Sequence, residues 1–282
     1  MRHAVLLAAA GEGVLTFMDM LVKGASERYP TFEIAFLRFA FGSVFALMLA
    51  AALRPGWPTR DGVIYNGTRS VLVVITATSF FFALSRLPLA DAIALSFLSP
   101  LFMAVLGALL LGETIDRRIG MALAAGFAGM LCIAAGKVGA GGYAGEAWQG
   151  VLACIVSAVT YASAIVLLRA RAQRDPVAII LLFQSIGPAL MLALPAALVW
   201  VEPTPADLAL FVAVGAIGTI GHYMLALAFA RAEAARIAPV HYTTLVWGTL
   251  FGYLAFGDVP GLATLIGAAL IVAATLATQR SS

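Results

Sequence analysis

The chain has 282 residues, 62% of them hydrophobic and 11% charged, with a mean hydropathy of +1.01 and a formal net charge of +3. Soluble domains carry about 25% charged residues, so a water-soluble fold is excluded. A net charge this small, divided among short loops, gives no sign of a nucleic-acid partner.

The apolar residues fall into long blocks separated by short clusters of charge, Pro and Gly, the pattern of serial transmembrane helices in an all-α membrane protein. Ten spans are predicted, over residues 4–23, 31–53, 68–87, 90–111, 119–136, 147–168, 177–201, 206–230, 237–256 and 259–277. Each is long enough to cross a hydrocarbon core of about 30 Å. The opening, Arg2 and His3 before Ala4 to Ala10, has some likeness to a signal peptide. Its apolar run continues past Glu12 to Met20, so it reads as a retained first helix. With the N-terminus inside, twelve basic residues fall on the inner face, Arg69 and Arg171 among them. Four fall on the outer face: Lys23, Arg28, Arg86 and Lys137. That asymmetry places both termini in the cytoplasm and Trp148 and Trp200 at the outer interface.

The first span carries Glu12, Thr16, Asp19 and Lys23 inside an otherwise apolar run. Their spacing confines all four to a stripe about 60° wide on one helical face. A charged side chain costs at least about 2.5 kcal/mol in a membrane span, so the stripe faces protein or water rather than lipid. Glu12 falls near the bilayer midplane. There it either exchanges a proton or binds a cation, or it is a structural acid bonded to a neighbouring helix. Asp19 and Lys23, nearer the outer end, read as an intrahelical ion pair or a gate contact. In the second span Arg38 is the natural partner for Asp19, and Glu33 sits toward the outer interface.

Thr78 in the third span, Tyr161 in the sixth and Gln184 in the seventh are candidates for cavity lining. His222 sits near the midplane of the eighth span, followed by Tyr223; His241 and Tyr242 open the ninth just inside its cytoplasmic end. Histidine at these depths either relays protons or is a satisfied core residue. Trp247 is too deep for an interfacial belt, and either stacks on a planar or cationic group or packs in the core. Pro100 frees the carbonyl of Ser96, Pro188 that of Gln184, and Pro239 starts the ninth span; such groups face protein or a wet cavity. Cys132 and Cys154 read as small core residues. With no phosphate loop, metal-ligand spacing or nucleophile motif, neither a metal, a cofactor nor a catalytic residue is expected.

The chain repeats itself. ALSRLPLADAIALSFLSPLFMAVLGALLLGE, starting at Ala83, is followed at an offset of 145 by AFARAEAARIAPVHYTTLVWGTLFGYLAFGD. Arg86 pairs with Arg231, Gly107 with Gly252, Gly112 with Gly257 and Glu113 with Asp258, while residues 23–30 match residues 169–176 at an offset of 146. Each half holds five spans, an odd number, so the second half is inserted upside down. Gln184 then aligns with Arg38 and Ile165 with Asp19, so the charge of the first two spans is confined to one repeat.

On these residues the chain resembles the drug/metabolite transporter superfamily, specifically proteins with two EamA domains. The carriers are LPLADAIALSFLSPLFMAVLGALLLGETI and ARAEAARIAPVHYTTLVWGTLFGYLAFGD, each ending in the Gly-acid pair of this family's helix ends. The opening DMLVKGASERYPTFEIAFLRF is similar to that of S-adenosylmethionine uptake members, and riboflavin importers and amino-acid exporters carry comparable openings. The resemblance implies ten helices as two inverted five-helix repeats, residues 1–137 and 147–282, with the substrate site between them. It implies a secondary transporter of a small polar metabolite in the bacterial inner membrane, not an enzyme, working as a monomer or homodimer in the lipid bilayer. Proton-coupled uptake of S-adenosylmethionine or a similar cationic amino-acid derivative is one form of this reading, and export of amino acids or drugs is the other. A membrane-embedded enzyme or sensor is the rival from another class, and the chain offers neither a nucleophile cluster nor an output domain for it.

Overall fold

The computed structural model describes residues 2–115, 147–232 and 243–257, with isolated positions within 117–128, 237–241 and 259–270. The expected fifth and tenth spans fall mostly outside the described residues, and Cys132, Pro239, Tyr242 and Asp258 wholly outside them. The described elements are all helices. They are α1 (Arg2–Ala25), α2 (Thr31–Leu53), α3 (Arg60–Arg86), α4 (Leu89–Ser96), α5 (Ser99–Leu111), α6 (Ala147–Ala172), α7 (Val177–Leu198), α8 (Pro205–Arg231) and α9 (Thr243–Phe256). Six of these, α1, α2, α3, α6, α7 and α8, are long and apolar enough to cross a membrane. Leu109, Leu194, Leu198 and Leu254 are exposed on the outer surface, which suits a lipid-facing shell and not a watery one.

Two starts follow from threonine capping. Thr59 accepts a hydrogen bond from Gly62 N at 3.1 Å, so α3 begins at Arg60 rather than at residue 68. Its polar first half (Asp61, Asn66, Arg69) hides that start from a hydropathy window. Thr204, at an offset of 145 from Thr59, accepts from Asp207 N at 3.2 Å and is followed by Pro205 at the first helical position.

The expected span over 90–111 is interrupted. Pro100 has no N–H for the Ser96 carbonyl, and Ser99 Oγ donates to that carbonyl instead, at 2.6 Å. The chain turns at Phe97 and Leu98 between α4 and α5. The expected ninth span is likewise not one helix: Val240 and His241 form a tighter turn before α9 starts at Thr243. Both α5 and α9 are followed by a left-handed glycine, Gly112 at φ +67° and Gly257 at φ +69°. That conformation is one only glycine adopts without penalty, which accounts for the Gly of both Gly-acid pairs.

The two halves interdigitate: α1 packs on α8, α2 on α7 and α8, and α3 on α6. Close approach of α2 and α8 requires Gly215, where a Cβ would lie 2.7 Å from the Gly42 nitrogen. Contacts at helix ends give the directions. Lys23, near the end of α1, donates to the Leu84 and Leu87 carbonyls at the end of α3, at 3.3 and 3.0 Å. Arg171, at the end of α6, donates to Thr59 at the start of α3, at 3.1 Å. So α1 runs parallel to α3, and α6 antiparallel to it. Arg169 donates to the Phe229 carbonyl at 2.8 Å and thereby repeats the Lys23–Leu84 contact in the second half.

The loops after α1 and α6 are each tied to the other half. Asp207 on α8 accepts from both Arg28 (2.7 and 3.1 Å) and the Tyr29 hydroxyl (2.8 Å). Burial and the bond to Asp207 push the Tyr29 phenol above its usual range, so it remains a donor. In the other half Asp175 accepts from Arg171 at 2.6 and 2.9 Å and from Asn66 of α3 at 2.9 Å. Glu33, in the first turn of α2, is fully buried, and its Oε2 accepts from Val201 N at 2.9 Å.

Candidate functional site

A cavity of about 140 Å³ lies between α1, α2, α3, α6, α7 and α8, closed in part by the α4–α5 break and the start of α9. Glu12 of α1 is buried on its wall, and its Oε1 lies 2.9 Å from His241 Nδ1. The imidazole is clamped: it stacks on Tyr161 at 5.1 Å and meets Phe97 edge-on at 6.3 Å. At this distance the two groups are hydrogen-bonded, and which of them donates depends on the ring's tautomer. The turn at Val240 and His241, ahead of α9, sets this ring against Glu12. Thr16 lines the same wall, with its hydroxyl turned back to the Glu12 carbonyl at 2.7 Å.

Asp19 sits about 10 Å farther along α1. Neither expected partner is hydrogen-bonded to it. Arg38 Nε donates to Met18 Sδ at 3.1 Å and its guanidinium lies over the Phe39 ring at 4.2 Å. Lys23 reaches away to the carbonyls of α3. Asp19 and Arg38 both face the cavity as charged neighbours, with no hydrogen bond between them.

Of the other expected residues, Tyr161, Gln184 and His222 line the cavity. His222 Nδ1 lies 2.9 Å from the Gly218 carbonyl, which can only accept, so Nδ1 carries the hydrogen and Nε2 is left as an acceptor. Thr78, Tyr223 and Trp247 are not on its wall. Thr78 donates to Val74 O at 2.7 Å, and Trp247 stacks on Phe251 at 6.1 Å while covering Gly13.

Arg69 is not in an inner loop, as the count of basic residues implies: it is 4% exposed, well inside α3, and on the cavity wall. Its Nε and Nη1 have no hydrogen-bond partner, nor does Gln184 Oε1. Reading the helix start at Thr59 would have exposed Arg69 as an intramembrane cation. The helix breaks add hydroxyls at equivalent places in the two repeats. Ser99 bonds the Ser96 carbonyl, and Thr244, at an offset of 145, bonds that of His241. The repeat therefore supplies the same turn twice, with serine at one copy and the Glu12 partner at the other.

Comparison with known proteins agrees with this architecture. A protein of known crystal structure superposes with a TM-score of 0.80 at 24% identity, covering 99% of both chains, which speaks to the fold alone. The pseudopaline exporter CntI of Pseudomonas aeruginosa is 31% identical, covering 100% of this chain and 97% of its own. The riboflavin transporter of Rhizobium johnstonii is 31% identical over 90% of this chain and 82% of its own. An S-adenosylmethionine uptake transporter of Rickettsia bellii is 28% identical over 92% and 87%. The EamA-like transporter family matches residues 3–135 and again residues 148–279. With its apolar spans and two matched repeats, the chain belongs to the EamA-like transporter family and is a multi-pass membrane protein.

Proposed function

We propose that this protein is a proton-coupled secondary transporter that moves a small polar metabolite across the bacterial inner membrane by alternating access. Two inverted repeats of five helices, residues 1–137 and 147–282, rock about the central cavity, with both termini in the cytoplasm. The antiparallel course of α3 and α6 and the excess of inner basic residues support that arrangement. The observation that carries the reading is the Glu12–His241 pair on the wall of the cavity, one residue from each half. Protonation of the pair from one side and release to the other couples solute to the proton gradient. Thr16, Asp19, Arg38, Tyr161, Gln184 and His222 form the solute's surroundings. Thr78, Tyr223 and Trp247 belong to the helices that carry them.

The likeness to an S-adenosylmethionine uptake transporter makes uptake of that compound, or of a similar cationic amino-acid derivative, the first form to test. Export is the second form, favoured by the full-length likeness to a pseudopaline exporter. Deletion starves cells of an imported solute and accumulates an exported one, so the two are separated by metabolite levels on either side of the membrane. For the coupling, S-adenosylmethionine flux is measured in proteoliposomes at several external pH values. Wild type is expected to respond to an imposed pH difference, and folded Glu12→Gln to lose that response and about tenfold in rate. A variant that matches wild type at every pH sinks the coupling role.

A further inference from the structure

A second concavity lies away from the central cavity, on the outer surface between α1 and α8. It is a groove of about 630 Å³, walled by His3, Leu6, Leu7 and Ala10 on one side and by Met224 and Arg231 on the other. Its floor is the place where the two helices touch. A Cβ on Gly11 would lie 3.2 Å from both the Met224 Cβ and the Gly221 carbonyl oxygen. His3 and Arg231 stand at the opposite end, about 10 Å from that floor along each helix.

The groove is thus polar at its rim and apolar below. Leu6 is 65% exposed and Leu7 and Met224 are partly so, which opens the apolar part toward the lipid-facing shell. Arg231 is exposed, and no hydrogen bond, ion pair or ring contact holds it among the described residues. At the matching place in the first half Arg86 lies over the Phe82 ring at 5.3 Å, and Leu227 stands where that ring would recur. A cation at the end of a span, above an apolar trough, is complementary to an anionic amphiphile. A free anion would occupy the rim alone and leave Leu6, Leu7 and Met224 uncovered.

We propose that the α1–α8 groove binds an anionic phospholipid of the phosphatidylglycerol class. Its phosphate accepts two hydrogen bonds from the planar fork of Arg231 and one from the His3 ring, and an acyl chain lies along Leu6, Leu7 and Met224. The proposal rests on the topology given above only for the leaflet, the inner one, that supplies the lipid. Because α1 belongs to the first half and α8 to the second, the lipid bridges the halves beside Gly11, the residue before Glu12.

The test is native mass spectrometry of the purified full chain in detergent. The chain is titrated separately with phosphatidylglycerol, phosphatidylethanolamine and phosphatidylcholine of one acyl composition, and with inorganic phosphate. Wild type is expected to retain one phosphatidylglycerol at about a tenth of the concentration that either zwitterionic lipid needs, since their headgroup cations oppose Arg231. Arg231→Gln is expected to lose that preference. Ala10→Trp, which fills the groove from an exposed position, is expected to lose about tenfold in affinity. Arg60→Gln removes an exposed basic residue at the start of α3, outside the groove, and is expected to bind as wild type does. Equal affinity for the three lipids overturns the proposal, and so does wild-type binding by Arg231→Gln or Ala10→Trp, each eluting as a single species. An equal loss in Arg60→Gln also overturns it, by assigning the preference to the general charge of that face. Inorganic phosphate bound as tightly as the lipid would mark a free-anion site, and a dimer that excludes lipid would mark a second copy as the occupant. Binding is read without transport, so failure here leaves the transporter reading standing.

Discussion

At Glu12 a single contact decides what the cavity can do. Replacing His241 with Phe keeps an aromatic ring between Tyr161 and Phe97 but leaves the Glu12 carboxyl without its partner. A buried polar atom orphaned in this way costs about 1–3 kcal/mol. His241→Phe is therefore expected to unfold at a lower temperature in detergent and to lose the pH response. His241→Gln, which restores a donor, recovers the stability and not the response. Unfolding of His241→Phe at the wild-type temperature would show that the bond contributes nothing. The acidic stripe of α1 was legible because helical periodicity alone puts Glu12, Thr16 and Asp19 on one face, and all three line the cavity. Asp19 and Arg38 are charged neighbours as their placement suggests, but no hydrogen bond joins them. A long flexible side chain chooses among partners by packing, and Met18 and Phe39 hold the guanidinium instead. Arg69 was missed for a different reason: hydropathy averages over a window, and the polar turns around it look like a loop.

At the scale of elements, the helix ends were well read and the helix breaks were not. The Gly-acid pairs predicted two helix ends, and Gly112 and Gly257 stand there in the left-handed region. Gly112→Ala is expected to destabilise the protein by about 1 kcal/mol, because a Cβ in that conformation meets the following carbonyl. Gly24→Ala is the control, since Gly24 lies in α1 with open space around its Cβ position. Equal thermal shifts for the two would contradict the capping role. The interruptions before α5 and α9 are not visible in averaged hydropathy, because their few polar residues are outweighed by apolar neighbours. Pro100 marked one of them, but where the freed carbonyl finds a donor depends on the Ser99 rotamer, which composition does not encode. Those breaks bring His241 and Thr244 to the cavity.

At the scale of the whole molecule, the two halves are not separate bodies. Each of α1, α2 and α3 packs on a helix of the second half, and each loop latch joins one half to the other. The cavity's charged groups are unequally shared: Glu12, Asp19, Arg38 and Arg69 come from the first half, and His241 from the second. A repeat that needed these charges to fold would carry them twice. Gln184 and Ile165 stand where Arg38 and Asp19 would recur, an asymmetry that the proposed transport role assigns to solute and proton. That account has one central claim: a proton crosses with the solute through the Glu12–His241 pair. The most direct measurement follows the internal pH of dye-loaded proteoliposomes after adding a solute that the flux assay shows to be carried, with no pH difference imposed. Wild type is predicted to move protons in step with the solute, and Glu12→Gln to move none. Solute movement by wild type with the internal pH unchanged would contradict it.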